Sequence, residues 1–447
     1  MGNPVYFVGV YFIFVLLLGI YSWFKIKTPS DYYIAGKKGR LLPVSGSLLA
    51  TILGGSAILG TIELSQSIGW AALWFLFCAS FGLFVLAPLA KKVSRYGRFT
   101  LPGLLGHFFG ERARIISSLV IPLAWLGIVA AQIIAAAKIL AGLEIIGYSA
   151  AAILAGVVFI LYTLFGGQVS ILKTDTLQSV LIISGLTALV IFAAPTPASA
   201  LLPEFSRAAL FNDSFTGIDL LVLVLTYSVT FMVGPDIYSR VFCAKDEKTA
   251  TRSILIVAVV LIPVSFGLTF LGIYSSQTGS TEIMSFAEQL LPGWFYGLFI
   301  AALLSAVMSS ADTTLLTSSL ILGELFHSNM ENKKGFRLTR ILIVLLGSLS
   351  IAIALFVTSI LQSLLMALSF FSGAFVVPML AGLLQIKVVK KQLTAAMLAG
   401  GFTALAGKVI SLGDAQLTGN IIIISAFLVN AGLLFIPLKQ YREKPEH

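Results

Sequence analysis

Long apolar runs alternate along the chain with short polar joints. Thirteen such runs, each of roughly 18 to 30 residues, occupy residues 4–24, 43–66, 70–90, 115–141, 148–165, 174–193, 218–238, 253–274, 294–323, 338–357, 359–384, 393–412 and 419–437. A helix needs about 20 consecutive apolar residues to cross the hydrocarbon core of a bilayer, so every run is near or above spanning length. None alternates apolar and polar positions as a strand does. Lipid offers backbone groups no partners, so helices are the expected form. The pattern predicts an all-α integral membrane protein with thirteen transmembrane helices.

Hydrophobic residues make up 58% of the chain and charged residues 11%, against about 25% charge in soluble domains. Length alone suggests about three domains. No polar stretch is long enough to fold separately, so residues 1–447 read as a single polytopic domain. A net charge of +10 raises nucleic acid as a partner, but the placement of the basic residues points to a lipid bilayer and no nucleic acid. Lys25, Lys27, Lys37, Lys38 and Arg40 follow segment one, and Lys91, Lys92, Arg95, Arg98, Arg112 and Arg114 follow segment three. Lys173, then Arg240, Lys245, Lys248 and Arg252, then Lys333, Lys334, Arg337 and Arg340 repeat the pattern after segments five, seven and nine. Lys387, Lys390 and Lys391, and finally Lys439, Arg442 and Lys444, complete it. Only Lys138, Arg207 and Lys408 fall elsewhere, so 26 of 29 basic residues share one face. The positive-inside rule makes that face cytoplasmic, with the N-terminus outside and the C-terminus inside a cell (plasma) membrane. Segment one has no basic residue before it and no small-residue cleavage site after it, and is expected to stay as a helix. Cys78 and Cys243 imply no disulfide framework. His107, His327 and His447 lack metal-ligand spacing.

Three polar interruptions carry the chemistry. Segment nine contains Ser309-Ser310-Ala311-Asp312-Thr313-Thr314. An ionisable group in mid-membrane costs about 2.5 to 3.5 kcal/mol by insertion scales and usually marks an ion, proton or substrate site. At about 100° per residue, Ser305, Ala306, Ser309, Ser310, Asp312, Thr313 and Thr317 share roughly half the helix circumference, a face expected to look inward. Segment two is interrupted by Leu53-Gly54-Gly55-Ser56 and segment seven by Val233-Gly234-Pro235-Asp236; proline removes a helix hydrogen bond and glycine weakens the turn. The two breaks are five segments apart and so run in opposite directions, as in an inverted repeat of segments two to six and seven to eleven. Paired broken helices point to a transport site, because freed carbonyls bind cations and half-helix N-termini face anionic groups. Packing glycines and a proline kink are the plainer reading of each break alone. Their matching positions favour transport.

Several stretches resemble one family, the sodium/solute symporters, which include sodium-glucose, sodium-proline and sialic acid carriers. Ser30-Asp31-Tyr32-Tyr33-Ile34-Ala35-Gly36-Lys37 resembles the loop before the family's first core helix, and Phe99-Thr100-Leu101-Pro102 the loop before segment four. Gly166-Gly167 followed by Thr174-Asp175-Thr176-Leu177-Gln178 is similar to its GG...TDxxQ pattern. Arg240 with Ala244-Lys245-Asp246 resembles the turn after segment seven, and Ala306-Val307-Met308-Ser309-Ser310 the sodium-site helix. The resemblance runs nearly end to end. It implies the leucine-transporter-type fold: an extra N-terminal helix (4–24), an inverted 5+5 repeat (43–193 and 218–384) and two extra C-terminal helices (393–437). It also implies a secondary active transporter that is no enzyme and couples sodium to symport of a small organic solute by alternating access.

Carried over residue by residue, the co-transported sodium ion is held by the carbonyls of Ala50, Leu53 and Ala306 and the hydroxyls of Ser309 and Ser310. A small hard cation prefers such oxygen ligands. Serines that bond back to the carbonyl four residues earlier explain Ser318 or Ser319 better than this adjacent pair. Asp175 has two readings. Asp-x-x-Gln is also a helix-start pattern in which Gln178 closes a capping box; in some branches of the family the matching aspartate joins segment nine at a second sodium site. Those branches place hydroxyls where this chain has Asp312 and Thr313. Two carboxylates at one pocket take a cation between them or a proton on one of them. Asp175, Asp312 and Thr313 therefore stand as a second cation or proton site, with proton or sodium-plus-proton coupling as the alternative mechanism.

The solute is less marked. The sugar branch's Glu-Gln pair falls here at Ser56 and Ala57 and the proline branch's aspartate at Ile52, so neither substrate is supported. Expected lining residues are Thr51, Gly54, Gly55, Ser56, Gln132, Gly234 and Asp236, the glycines leaving room beside the break. Lys138 is expected to snorkel to the outer interface, and a carboxylate-bearing solute to meet a half-helix dipole. Other classes remain open: a sodium-conducting channel on the same fold, or a sensor, which needs a signalling domain although only about ten residues follow Pro437. A membrane enzyme is disfavoured by the lack of HExxH, Ser-His or clustered histidines.

Overall fold

Among the described residues the apolar runs form helices, interrupted within segments two and seven. The computed structural model describes residues 4–24, 28–96, 100–144, 146–194, 207–279, 282–327, 330, 332–413 and 415–436. Lys25, Lys27, Arg98, Lys439, Arg442 and Lys444 of the basic set, with Phe99 and Pro437, lie outside the described residues. Among the described residues, β structure is limited to two isolated bridges, Gly39 with Ala244 and Asn212 with Phe215.

Among the described residues, ten helices are long and apolar enough to cross a membrane by length and composition, and two shorter apolar helices, Tyr6–Tyr21 and Leu41–Ile52, accompany them. This differs from thirteen because segment one counts among the shorter helices and two continuous runs each merge expected segments. Gly55–Ser94 joins the end of segment two to segment three, and the 46 residues of Tyr148–Ala193 join segments five and six. Inside the second run Gly167 adopts φ 56 and ψ −174, a backbone shape that favours glycine. A Cβ at that position would meet the ring of Tyr32. Tyr32 in turn donates to Thr163 O at 3.1 Å, so two motifs that are far apart in sequence pack on one another.

Helix starts follow familiar capping chemistry. Thr100 caps Leu101–Phe109 by accepting from Gly103 N, Asp246 caps Glu247–Gln277 by accepting from Thr249 N, and Asn332 caps Lys333–Phe356 by accepting from Gly335 N. The Thr100 hydroxyl also donates to Glu324 at the end of segment nine. A main-chain clasp links the two broken segments on one side: Gly39 N donates to Cys243 O at 2.9 Å, and Lys245 N donates to Gly39 O at 2.9 Å.

Segment nine, Gly293–Phe326, is the central element. Every residue from Ala302 to Ile321 is buried, so the helix is enclosed on all sides, beyond the half-circumference the spacing suggests. Protein, not lipid, surrounds its polar side chains, which lowers the cost of placing them there.

Candidate cation and solute site

Segment two is two helices, Leu41–Ile52 and Gly55–Ile68, with Leu53 at φ −80, ψ 44 and Gly54 extended at φ −64, ψ 168 between them. Leu49 O still accepts from Leu53 N at 2.8 Å. The next donor belongs to Gly54, whose extended backbone turns it away from Ala50 O. Thr51 O instead accepts from the Ser310 hydroxyl of segment nine at 2.6 Å. Segment seven is broken correspondingly. Gly217–Leu223 passes through a π turn, Val224–Ser228, into Val229–Val233; Gly234 is extended at φ −68, ψ 134, and Pro235–Cys243 follows.

The break in segment two lies directly against segment nine. A Cβ on Gly54 would collide with Ser310 and come within 3.2 Å of Gln132 Oε1, and one on Gly55 would collide with Val307 and come within 3.0 Å of Ala135 Cβ. Those glycines pack closely on neighbouring helices and are not among the residues that line the central cavity, where the sequence suggested room beside the break. Gly234 is similar, since a Cβ there would stand 2.5 Å from Thr230 O and 2.9 Å from Asp236 Oδ1. Of the residues expected to hold sodium, Ser310 meets the break in segment two directly, through Thr51 O and Gly54. Ser318 does bond back, to Thr314 O at 2.6 Å, as do Thr313 to Ser309 O at 2.9 Å and Thr314 to Ser310 O at 2.6 Å. The buried Ser309 hydroxyl makes no such bond to its own helix and faces Asp175.

Asp175 lies well inside the Tyr148–Ala193 helix and is fully buried. The capping-box reading therefore fails: the helix has already begun, and Gln178 donates to Tyr11 OH at 2.8 Å. Asp175 Oδ2 accepts from Ser47 Oγ at 2.5 Å and from Arg240 at 3.1 Å. Arg240, counted by sequence among the cytoplasmic residues, is wholly buried. Its Nε donates to Ser47 Oγ at 3.0 Å, and its two terminal nitrogens donate to Ser239 Oγ and Thr51 Oγ1, each at 3.0 Å, and to Thr313 Oγ1. Thr313 Oγ1 also lies 3.3 Å from Asp312 Oδ1, and Asp312 is within electrostatic reach of both Asp175 and Arg240. The expected second cation site thus contains a cation of the protein's own, tethered to segment seven. The plain signal for it was the arginine four residues after Asp236, one helical turn past the break.

A cavity of about 50 Å³ opens where segments two, four, seven, nine and eleven meet. Thr51, Ser56, Gln132 and Asp236 line it as expected, joined by Trp125, Tyr227, Thr230, Phe231 and Ser310. Gln132 Nε2 donates to Ser56 Oγ at 2.7 Å, tying segment four across the break. As it stands the space holds a few water molecules; a solute must part its walls. A larger cavity of about 490 Å³ lies at the far ends of segments two and four, lined by Glu63, Lys138, Glu144 and Glu282. There Lys138 pairs with Glu63 at 2.8 Å, which replaces the snorkelling expectation with an ion pair.

The model of the Sodium:solute symporter family matches residues 32–403. A sodium/proline symporter of Haemophilus influenzae is 25% identical over 98% of this chain and 94% of its own length. The sodium/pantothenate symporter of Escherichia coli is 24% identical over 88% of this chain and 87% of its own. Among solved structures, the substrate-bound, outward-open state of a Na+-coupled sialic acid symporter covers 99% of this chain and 100% of its own at a TM-score of 0.74 and 18% identity. The fold is therefore of the leucine-transporter type.

Proposed function

The chain belongs to the sodium:solute symporter family, and from that premise we propose that it moves a small organic solute with sodium by alternating access around the paired helix breaks. The observation that carries this reading is the bond from the Ser310 hydroxyl to Thr51 O, which joins segment nine to the break in segment two. In this reading Ala50, Leu53, Ala306, Ser309 and Ser310 hold the sodium. The solute sits next door, against Thr51, Ser56, Gln132 and Asp236. Thr51 and Ser310 face both sites. Sodium that draws Leu53 and Ser310 together fixes the break against segment nine and so shapes the solute cavity, and linkage requires each ligand to raise the other's affinity by the same factor.

The same proposal has thirteen crossings, an N-terminus outside, a cytoplasmic C-terminus, and core repeats at 43–193 and 218–384. A further cation or a proton at Asp312 is a second reading, favoured because one guanidinium serves both Asp175 and Asp312. The test is solute uptake into proteoliposomes across a solute panel. Uptake that follows an inward sodium gradient and stops without it is expected. Uptake that ignores sodium and follows a proton gradient moves coupling to Asp312, and sodium flux without solute makes the protein a channel.

A further inference from the structure

One carboxylate at the central cavity has no cation hydrogen-bonded to it among the described residues, and only Arg240 within electrostatic reach. Asp236 stands in the first turn of Pro235–Cys243, just past the segment-seven break, and lines the central cavity. Its Oδ1 is buried and makes no hydrogen bond among the described residues. The N–H groups of its own turn face the carboxylate, but a helix N-terminus supplies only about half a charge. Arg240 lies one turn further along, and its hydrogen bonds go to Ser47, Ser239, Thr51, Asp175 and Thr313 instead. The centre thus sets Asp175, Asp236 and Asp312 against one arginine. The sodium proposed above supplies one further positive charge and leaves the centre one short. Buried charge without a partner is costly; with Asp312 ionised, that remaining charge arrives with the cargo, at the carboxylate that lines the cavity.

We infer that the transported solute carries a positively charged nitrogen, an amine or a quaternary ammonium, and that Asp236 binds it. This rests on the transport reading and adds the substrate class. The walls suit such a group, since Trp125, Tyr227 and Phe231 line the same cavity and aromatic faces attract cations, tryptophan most strongly. Tyr227 is held in place by stacking on Phe75 at 4.1 Å, and Phe231 meets it edge-on at 4.9 Å, giving the cavity a rigid aromatic corner. The half-helix N-terminus that a carboxylate-bearing solute would seek already has an acid of its own. A zwitterion fits, with its anionic end toward Gln132 and Ser56; a simple anion meets Asp236 and is repelled. Approach favours the same class: the large cavity sets Glu63, Glu144 and Glu282 against Lys138 alone, and such a negative field concentrates cations.

Thermal unfolding of the purified full chain, with and without sodium, tests this with probes of defined charge. Betaine, choline and proline carry a cationic nitrogen; lactate and pantothenate carry none. Sodium alone is expected to raise the melting temperature, and at least one cationic-nitrogen probe to raise it further in sodium. Asp236→Asn should weaken that probe at least tenfold while keeping sodium's own shift, and Asp236→Glu should retain part of it. Should the asparagine variant misfold, the wild-type panel and the glutamate variant decide. Stabilisation by lactate or pantothenate that survives Asp236→Asn overturns the substrate class and leaves sodium-coupled transport standing. Silence of every cationic probe while sodium still registers also overturns it. Cationic probes that bind without regard to sodium keep the class and remove the coupling.

Discussion

Arg240→Met isolates the electrostatics of the polar centre. Methionine keeps an unbranched side chain of similar reach, so what disappears is the charge and its hydrogen bonds. Arg240 is 0% exposed and ties segment seven to Ser47 and Thr51 of segment two, Asp175 of segment six and Thr313 of segment nine. Breaking a buried ion pair by removing one partner costs about 3 to 5 kcal/mol, because the other charge stays buried and unanswered. Here the guanidinium faces Asp312 as well as Asp175, and their mutual repulsion places the expected loss in the upper half of that range, about 4 kcal/mol. Asp175→Asn in the same background removes one of the orphaned charges and should recover at least half of the loss. Equilibrium unfolding in mixed micelles, followed by tryptophan fluorescence, measures all three proteins on one scale. A single variant within about 1 kcal/mol of wild type, or a double variant no better than the single, would refute the reasoning.

Other outcomes follow from single residues. Ser309→Ala and Ser310→Ala each remove an oxygen from a site of neutral ligands, so apparent sodium affinity in uptake assays should fall more than tenfold, about 1.4 kcal/mol, with solute affinity at saturating sodium changed less; unaltered sodium dependence in the double variant removes the assignment. Gly55→Trp drives a ring into Val307 and Ala135 and should abolish monodisperse folded protein on size exclusion; a well-folded variant with blocked uptake would return Gly55 to the solute. At Asp246, outside the membrane-spanning helices, the Thr249 N–H holds the carboxylate below its usual range. The cap therefore stabilises above the unfolded value of about 3.9 and fades as pH falls through the lower folded value. Asp246→Asn should keep the cap and lose that part of the acid sensitivity in melting curves between about pH 6 and pH 3.

What local composition controls was legible: the apolar runs, the two breaks, and the adjacent serines that helical spacing sets on one face. Trp125, Ile128 and Gln132 also share a face by the same period, so two wall residues of the cavity were within reach of sequence reading once Gln132 was chosen. Arg240 was not. Charge counting assigns an arginine to the nearest membrane edge, but this side chain runs back into the protein to meet Asp175, 65 residues away in sequence, and no spacing rule carries such a pairing. Asp175 misled for a related reason. Asp-x-x-Gln looks the same at a helix start and in a helix interior, and where this helix starts depends on how the chain bends at Gly167 over Tyr32. The glycines of segment two signalled freedom. Their use, close packing on Val307 and Ser310, depends on a helix some 250 residues later in the chain.

The clasp at Gly39, Cys243 and Lys245 is made of main chain alone, so mutational drift in the neighbouring side chains leaves it untouched. Its one point of vulnerability is Gly39, where a Cβ would stand 2.7 Å from both Cys243 O and Val44. Two helices broken at their midpoints are thereby joined at their ends by two main-chain hydrogen bonds. In the proposed transport cycle, movement at one break would reach the other through this main-chain joint at Gly39, remote from both proposed ligands.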